Sequence, residues 1–454
     1  MRRRPPVGTG HEHRARRLRS HVAALTAVVA GAVLGWALPR WERHLPVDGL
    51  DFDAGTAQAT LAAIAASMIT LAGFVVTAIT LVVQTIQSLS PRLVGALGHF
   101  GQYLLVFGLL VGTALYALVA LSGIDSDEPT PRLTVTFAIV LVLAATTAVV
   151  FLLSALQTAV TPAGLSRAVA DGLREAVDAV YPPGDPEPDG DQEARHHGPR
   201  TAVRHLGTPG VIRSVDEKGL TRLAAAHDLR IELCAVVGDF VSYGQTLALF
   251  TPPHKPQPKL DRQIAGCLHL GTVRTMEQDP PFGLRLLADI GIRSLSPAVN
   301  DPTTAVQILD QITDALTRIS GRPLGPALLT DPDGVPRVLC SAPHWTDLLT
   351  LGLDEIILYG SAHPQVVRRL HAALDTLEAT APPVRAAAVA GHRRALERLA
   401  AAHFEDPLLR TLTATPDPQG LGGPPRPGHT GTATATTAPP TPPPAPPRGS
   451  APAP

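Results

Sequence analysis

Residues 60–87 read TLAAIAASMITLAGFVVTAITLVVQTIQ and contain no charged side chain. A helix needs about 20 apolar residues to cross the roughly 30 Å hydrocarbon core of a bilayer, and this run is long enough to do so. The stretch therefore predicts a transmembrane helix, and it places the chain among integral membrane proteins.

Three further runs of similar length also lack charged residues in their cores. A charge at the bilayer centre costs roughly 2.5 to 3.5 kcal/mol on insertion scales, so such runs are typical of membrane spans. The sequence thus predicts a transmembrane domain over 21–160. Its four helices are expected at about 21–39, 60–84, 103–121 and 133–157.

The first span follows a basic leader, residues 1–20, and a basic leader before an apolar run is also typical of a signal peptide. Here the run ends in Gly35-Trp36-Ala37-Leu38-Pro39-Arg40-Trp41. That ending lacks the small-residue cleavage pattern, and its tryptophans suit a membrane interface. We therefore expect an uncleaved anchor.

The distribution of arginine predicts the orientation. The leader is strongly basic, the loop after the first span carries Asp48, Asp51 and Asp53, and Arg167 and Arg174 follow the fourth span. Because Lys and Arg accumulate on the cytosolic side, we expect a multi-pass protein of the inner or plasma membrane with both termini in the cytosol. Everything from about residue 161 onward is then inside the cell.

The second span carries a stripe of small and polar residues that recurs about every 3.5 residues. It begins at Thr60 and Ala63, and the opposite, bulky face is expected to meet lipid. The candidate functional members are Ser67, Thr70, Gly73, Thr77, Thr80, Gln84 and Gln87, called the polar stripe below. The bulky face comprises Ile64, Met68, Leu71, Val75, Val82 and Ile86.

Two interpretations of the polar stripe remain open. Small residues let helices approach closely, so the stripe is typical of a helix-packing seam. Alternatively, several copies of it line a wet path, since the glutamines extend it to the cytosolic end. Two G-x-x-x-G pairs, Gly31 with Gly35 and Gly108 with Gly112, also favour close helix contact.

Behind the membrane domain the sequence predicts a cytosolic α+β domain. A juxtamembrane helix and a Pro- and acid-rich linker make up 161–200, and a small β-rich module with glycine turns at Gly238 and Gly244 spans 201–252. A helical region over 260–408 follows, and the Pro/Thr/Ala-rich tail, 409–454, is predicted to be disordered. The fold class is therefore that of a mainly α membrane protein.

A group of polar residues lies around two predicted helix ends in the helical region. Asp301 followed by Pro302 is typical of a helix N-cap, which is the plainer interpretation. The alternative is that two helix termini frame an anion site or an ion-pair network between subunits. The candidates are Arg274, Glu277, Asp279, Arg293, Asn300 and Asp301.

Composition and motifs argue against several functional classes. The net charge of −1 and the lack of a basic stripe argue against nucleic-acid binding. Three widely spaced cysteines give neither a disulfide framework nor a zinc motif, and no phosphate-binding loop or hydrolase motif is present. We therefore predict no catalytic residue, no metal and no cofactor.

Several segments resemble a family of bacterial predicted membrane proteins known as domain of unknown function 2254. They are Ser67-Met68-Ile69-Thr70, Ser90-Pro91-Arg92-Leu93, Gly238-Asp239-Phe240-Val241, Gln278-Asp279 with Phe282-Gly283, and Leu295-Ser296-Pro297-Ala298-Val299-Asn300-Asp301-Pro302-Thr303-Thr304-Ala305. With the layout of the spans, the resemblance covers nearly everything between residues 20 and 405. It implies an architecture and transfers no activity.

Besides a membrane-bound enzyme that uses residues 277–301, which is the least favoured interpretation, two functional hypotheses follow. The leading one is a homo-oligomeric channel or small-solute permeation protein whose second helices surround an axis and whose cytosolic domain assembles or gates it. The alternative is a membrane-anchored sensor or scaffold whose cytosolic domain binds a partner or ligand, with no permeation. The expected partners are the lipid bilayer, further copies of the chain, and an unidentified ion, small solute or cytosolic protein.

Overall fold

The computed structural model describes residues 2–4, 11–42, 52–89, 101–124, 131–184, 199–251 and 258–414. The described part is mostly helical. The predicted linker, from residue 185 to 198, and the tail from residue 415 onward lie outside it.

Four long apolar helices confirm the predicted membrane spans. They are α1 (His11–Glu42), α2 (Ala54–Leu89), α3 (Gly101–Leu121) and α4 (Arg132–Val160). Each contains a segment long and apolar enough to cross a bilayer, namely Arg19–Glu42, Ala54–Thr85, Tyr103–Leu121 and Arg132–Leu156. Because α1 begins at His11, half of the predicted leader is already helical.

Helices α1 and α3 cross at their glycines. A Cβ on Gly35 would lie 2.5 Å from the carbonyl oxygen of Tyr116, and one on Gly108 would lie 2.8 Å from that of Ala24. Gly112 is equally close, at 2.6 Å from the carbonyl oxygen of Ala27. Only glycine permits this backbone contact, so the expected role of both G-x-x-x-G pairs is confirmed.

At one end of the bundle, the carboxylate of Glu42 caps α4. It accepts hydrogen bonds from the Leu133 amide at 2.5 Å, the Thr134 amide at 3.0 Å and the Thr134 hydroxyl at 2.9 Å. The buried Tyr116 hydroxyl donates to the Thr134 carbonyl at 2.9 Å. These bonds fasten α1, α3 and α4 together and satisfy the first amides of a helix.

Among the described residues, the helical part of the region after the fourth span has one apolar core. It is built around α5 (Pro162–Val180), α8 (Pro280–Ser294), α9 (Pro302–Ser320) and α12 (Pro364–Thr380). Val82, near the end of α2, packs against the same core, so a membrane helix reaches it directly. The predicted juxtamembrane helix is therefore α5, and it is a core element.

Shorter helices complete this region. They are α10 (Trp345–Leu349), a π-helical turn (Thr350–Asp354), α11 (Glu355–Gly360), α13 (Pro383–His403) and α14 (Pro407–Ala414). Residues 409–414 were predicted to be disordered, and that was wrong. They form part of α14 because Thr413 is buried and Arg368 donates to the Leu412 carbonyl.

A mixed sheet stands beside the helical core. Its order is β1-β8-β9-β4-β6-β2, and a second sheet has the order β5-β3-β7. The strands are β1 (Arg2–Arg4), β2 (Thr201–Arg204), β3 (Gly210–Val215), β4 (Arg230–Leu233), β5 (Phe240–Val241), β6 (Thr246–Thr251), β7 (Leu268–Gly271), β8 (Ala327–Thr330) and β9 (Pro336–Cys340). Helices α6 (Glu217–Ala226) and α7 (Pro258–Gly266) cover them.

Three of these strands come from the stretch predicted to be helical. β9 pairs in parallel with β4 through Ile231 and Val338, and β8 pairs with β9. β7 pairs with β3 in the smaller sheet. The β-rich module is thus completed by strands that lie beyond residue 252. Short strands inside a helical region give little periodic signal, so the sequence pattern did not indicate them.

Candidate functional site

The polar stripe lies on the outside of the bundle. All seven of its candidate members are exposed, from Ser67 to Gln87. The opposite face is buried instead of meeting lipid, with Met68 at 4% and Val75 at 2% exposure in a cluster that includes Leu110. The expectation that the bulky face meets lipid was therefore wrong for these two residues; the side chain of Ile86 is not among those described.

The three threonine hydroxyls of the stripe are satisfied within α2 itself. Thr70 donates to the Ala66 carbonyl at 2.9 Å, Thr77 to the Gly73 carbonyl at 3.0 Å, and Thr80 to that of Val76 at 2.8 Å. Such bonds back to the preceding turn are available to Ser and Thr in helices. The stripe thus tolerates contact with another helix, while its oxygens can still accept bonds from water.

Gly73, at the centre of the stripe, faces open space. A Cβ on Gly73 would have no described atom within 4 Å. The apolar span ends at Thr85, so the exposed amides of Gln84 and Gln87 lie at its edge. Within the described part of one chain, the stripe is therefore not a packing seam, and the packing interpretation applies only to contact between copies.

The cytosolic polar candidates do not form one site. Asp279 caps the start of α8, whereas Arg293, Asn300 and Asp301 lie at its other end, about 20 Å away at 1.5 Å per residue. Asp301 caps α9 by accepting from the Thr304 amide at 3.0 Å, and Asn300 adopts the left-handed region at φ +48. This second group forms the turn between α8 and α9.

At the start of α8, Asp279 and Arg274 form a two-bond ion pair. The Arg274 Nε and Nη2 atoms donate to the two Asp279 oxygens, each at 2.8 Å, and the Phe282 amide donates to Asp279 at 3.1 Å. The guanidinium also stands 5.0 Å from the Phe282 ring centroid. Glu277 makes a separate contact, accepting from the Thr275 hydroxyl at 3.1 Å.

Burial dominates the chemistry of Asp279. It raises the pKa of this carboxyl above its ordinary value, although the bonds and charge of Arg274 lower it in part. Gly238 lies against the pair, because a Cβ there would stand 2.7 Å from Arg274 Nη2 and 2.8 Å from Asp279 Oδ2. The positive φ of Gly238, +99°, also favours glycine.

A cavity of about 380 Å³ opens beside this pair. It is lined by five segments together with Arg274: the end of α5 at 180–181, the link between β3 and α6 at 215–217, the turn after β4 at 233–239, the start of α8 at 278–281, and the link after β9 at 340–343. Helix α5, the sheet and the helical core therefore meet around one cavity. Sequence analysis missed it, because its walls come from chain positions far apart.

Ion pairs tie α5 to α9. Arg174 bonds Asp314 at 2.8 Å, and Arg322 bonds Asp178 and donates to the Tyr181 carbonyl at 2.5 Å. Since α5 follows α4 with only Thr161 between them, these bonds connect the membrane domain to the helical core. Their only sequence signal is a charged face on α5.

A family model described as predicted membrane protein (DUF2254) matches residues 18–376. The chain belongs to this family. Two mycobacterial relatives, both called uncharacterized proteins, come from Mycobacterium bovis and Mycobacterium tuberculosis. Each is 28% identical over 372 residues, covering 79% of this chain and 71% of the relative. No solved structure matches the chain.

The DUF2254 match includes both candidate regions. It begins just before the first span and ends inside α12, so the polar stripe and every wall of the cavity fall within it. Helices α13 and α14 lie beyond its end.

Proposed function

We propose that this DUF2254 protein is a homo-oligomer in the cell membrane, in which the α2 helices of several copies surround an axis. The polar stripe lines a permeation path for an ion or small solute, and the cytosolic domain assembles and gates it. The proposal includes no catalytic step. The observation that carries it is the outward exposure of the whole stripe.

The exposed stripe is a poor surface for lipid. The amides of Gln84 and Gln87 lie at the edge of the apolar span and need polar partners, and the open space at Gly73 lets a facing helix approach closely. Exposed bulky residues such as Phe74 and Leu81 stand beside it and would meet lipid or the flank of a neighbouring copy. Copies of α2 facing one another supply the missing partner.

The cytosolic core is joined to the bundle at two places, which supports a gating role. Val82 of α2 contacts the core, and α5 continues from α4 and is held to α9 by its ion pairs. A shift of the core therefore pulls on two membrane helices at once.

The proposed orientation has both termini in the cytosol. The described residues contain four spans, and an even number of spans returns the chain to the side on which it began. The pairing of β1 with β8 supports this, because it joins the N-terminal segment to the sheet that follows the last span. The arginine-rich leader agrees with it.

Cysteine crosslinking in native membranes tests the arrangement. We would replace the three native cysteines by alanine and introduce Thr77→Cys. Oxidation or a short bis-maleimide is expected to give a covalent dimer. The matched control is Phe151→Cys, which is 72% exposed on α4 and away from the proposed axis. A Thr77→Cys chain that stays monomeric while Phe151→Cys crosslinks would refute the arrangement.

Permeation is tested separately. In proteoliposomes, Thr77→Trp is expected to reduce ion or small-solute flux relative to the unmodified protein, since a bulky ring fills the axis. A water-soluble thiol reagent should reach Thr77→Cys if the path is wet. Oligomers that carry no flux and exclude the reagent would instead make the stripe a dry seam.

The second candidate function is a membrane-anchored sensor or scaffold. The cavity at the junction of α5, the sheet and α8 favours it, because a ligand held there contacts the helix that leaves the membrane. Ligand binding by the full chain without any flux is the result expected from this alternative.

A further inference from the structure

The cavity beside the Arg274–Asp279 pair has the dimensions of a small-molecule site. Its volume of about 380 Å³ falls within the roughly 300 to 1,000 Å³ typical of ligand pockets. Much of its wall is hydrocarbon, contributed by Val180, Leu233 and Pro280 among others. An occupant therefore has an apolar body of modest size.

The charged groups around the cavity are mainly acidic. Glu217, Asp239 and Asp279 line it, and Arg274 is the one cationic side chain among its lining residues. Arg274 is already committed to both oxygens of Asp279 and to the Phe282 ring. The lining thus carries an excess of negative charge.

The helix that begins at the cavity offers no free donor to an anion. Pro280 and Pro281 occupy the first two positions of α8 and have no amide hydrogen. The next amide, that of Phe282, is bonded to the carboxylate of Asp279. The N-termini of helices often bind anions. The start of α8 is unsuited to that role, so the anion site considered from the sequence does not apply here.

An inorganic metal ion fits the cavity no better. Across the residues that the structure describes, no three His, Cys, Asp or Glu side chains stand together in a way that could hold one. Divalent cations take several such ligands at once. A cation that needs a carboxylate at one end and hydrocarbon around the rest matches the lining.

We propose that this cavity binds a small organic ammonium ion, whose charged group lies near Asp239 and whose hydrocarbon body lies against Val180, Leu233 and Pro280. The site goes beyond the proposed permeation role and does not depend on it. Because the walls come from α5, the sheet and α8, the ligand holds these three elements together.

Calorimetric titration of the full chain in lipid nanodiscs tests the site with three probes of one shape. Cyclohexylamine, cyclohexanol and cyclohexanecarboxylate differ in charge and share a ring. The amine is expected to bind roughly tenfold or more tightly than the alcohol, and the carboxylate weakest of all. Equal affinity for amine and alcohol, or preference for the carboxylate, would overturn the proposal.

Two variants and a control locate the binding. Asp239→Asn keeps an oxygen for the Val236 amide, which donates to Asp239 at 2.9 Å, and is expected to weaken amine binding roughly tenfold. Ala342→Trp fills the cavity and should remove binding of amine and alcohol alike. Asp333→Asn, an exposed acid elsewhere, should change nothing. Unaltered amine binding in both Asp239→Asn and Ala342→Trp would show that the amine binds elsewhere. This result is independent of the crosslinking experiment on α2.

Discussion

The Asp279 carboxylate is an ion-pair partner, a helix cap and a buried charge, and two substitutions separate these roles. Asp279→Asn keeps the shape and an oxygen for the Phe282 amide but removes the charge that faces Arg274. Asp279→Ala removes the cap as well. The Asp279 side chain is 1% exposed and that of Arg274 is 32% exposed, so water still reaches the arginine when its partner is lost.

The magnitudes follow from these exposures. Burial raises the pKa of Asp279, so the cost of desolvating the carboxylate outweighs the stabilisation by Arg274. We expect Asp279→Asn to change the free energy of unfolding by less than about 0.5 kcal/mol. Asp279→Ala should lose about 2 kcal/mol, about half from the cap and half from the void and the unpaired arginine. At about 2 to 4 °C per kcal/mol, Tm falls by about 4 to 8 °C.

The pH dependence has a definite sign. A carboxyl whose pKa is raised by folding contributes stability that is present below its unfolded pKa and is lost as the pH rises through the folded value. The advantage of Asp279 over asparagine is therefore expected to shrink as the pH rises from about 4. A difference that grows over this range would contradict the dominance of burial.

Thermal unfolding of the full chain in detergent, followed by intrinsic fluorescence, measures these differences. The control is Asp301, which caps α9 and is likewise followed by proline. Asp301→Ala should cost about 1 kcal/mol for the lost cap. A fall in Tm for Asp279→Asn as large as that for Asp279→Ala would show that the ion pair, and not the cap, stabilises this helix start.

Three further outcomes are expected. Gly112→Leu should abolish the folded bundle on size-exclusion chromatography, because its Cβ would meet the Ala27 carbonyl at 2.6 Å, whereas Gly73→Leu, with open space around it, should leave the bundle folded. Arg322→Met should lower Tm by about 3 to 12 °C, since it loses charge-assisted bonds to the end of α5 worth about 1.5 to 3 kcal/mol. Asp331 has its pKa lowered chiefly by its bond to an arginine, so the stability that Asp331→Asn loses at neutral pH should disappear as the pH falls below about 4 in thermal melts.

The sequence located the membrane helices closely. Predicted spans such as 103–121 coincide with α3, because hydrocarbon excludes charge and fixes the minimum length of a helix. The cap at Asp301 and the glycine turn at Gly238 were also predicted, since each depends on neighbouring residues alone. The cap at Asp279 was not predicted. Features of this kind are set within a few residues of the chain.

The sequence of α2 did not predict which of its faces turns inward. Small residues such as Gly73 and bulky ones such as Val75 are both compatible with helix contact in a bilayer, because lipid tails are as apolar as leucine side chains. Only the packing of α2 against Leu110 and its neighbours decided that the bulky face turns inward. The polar stripe, on the opposite face of α2, therefore lies on the outside of the bundle.

The cavity beside Arg274 and Asp279 depended still more on tertiary structure. The sequence by itself determined the spans, the helix caps and the acidic or apolar character of each residue, because these follow from local composition. It did not determine that β9 joins β4, that Arg274 meets Asp279 beside Gly238, or that α5 closes a cavity against them. Those contacts join residues far apart in the chain, and only the packing of the whole core brings them together.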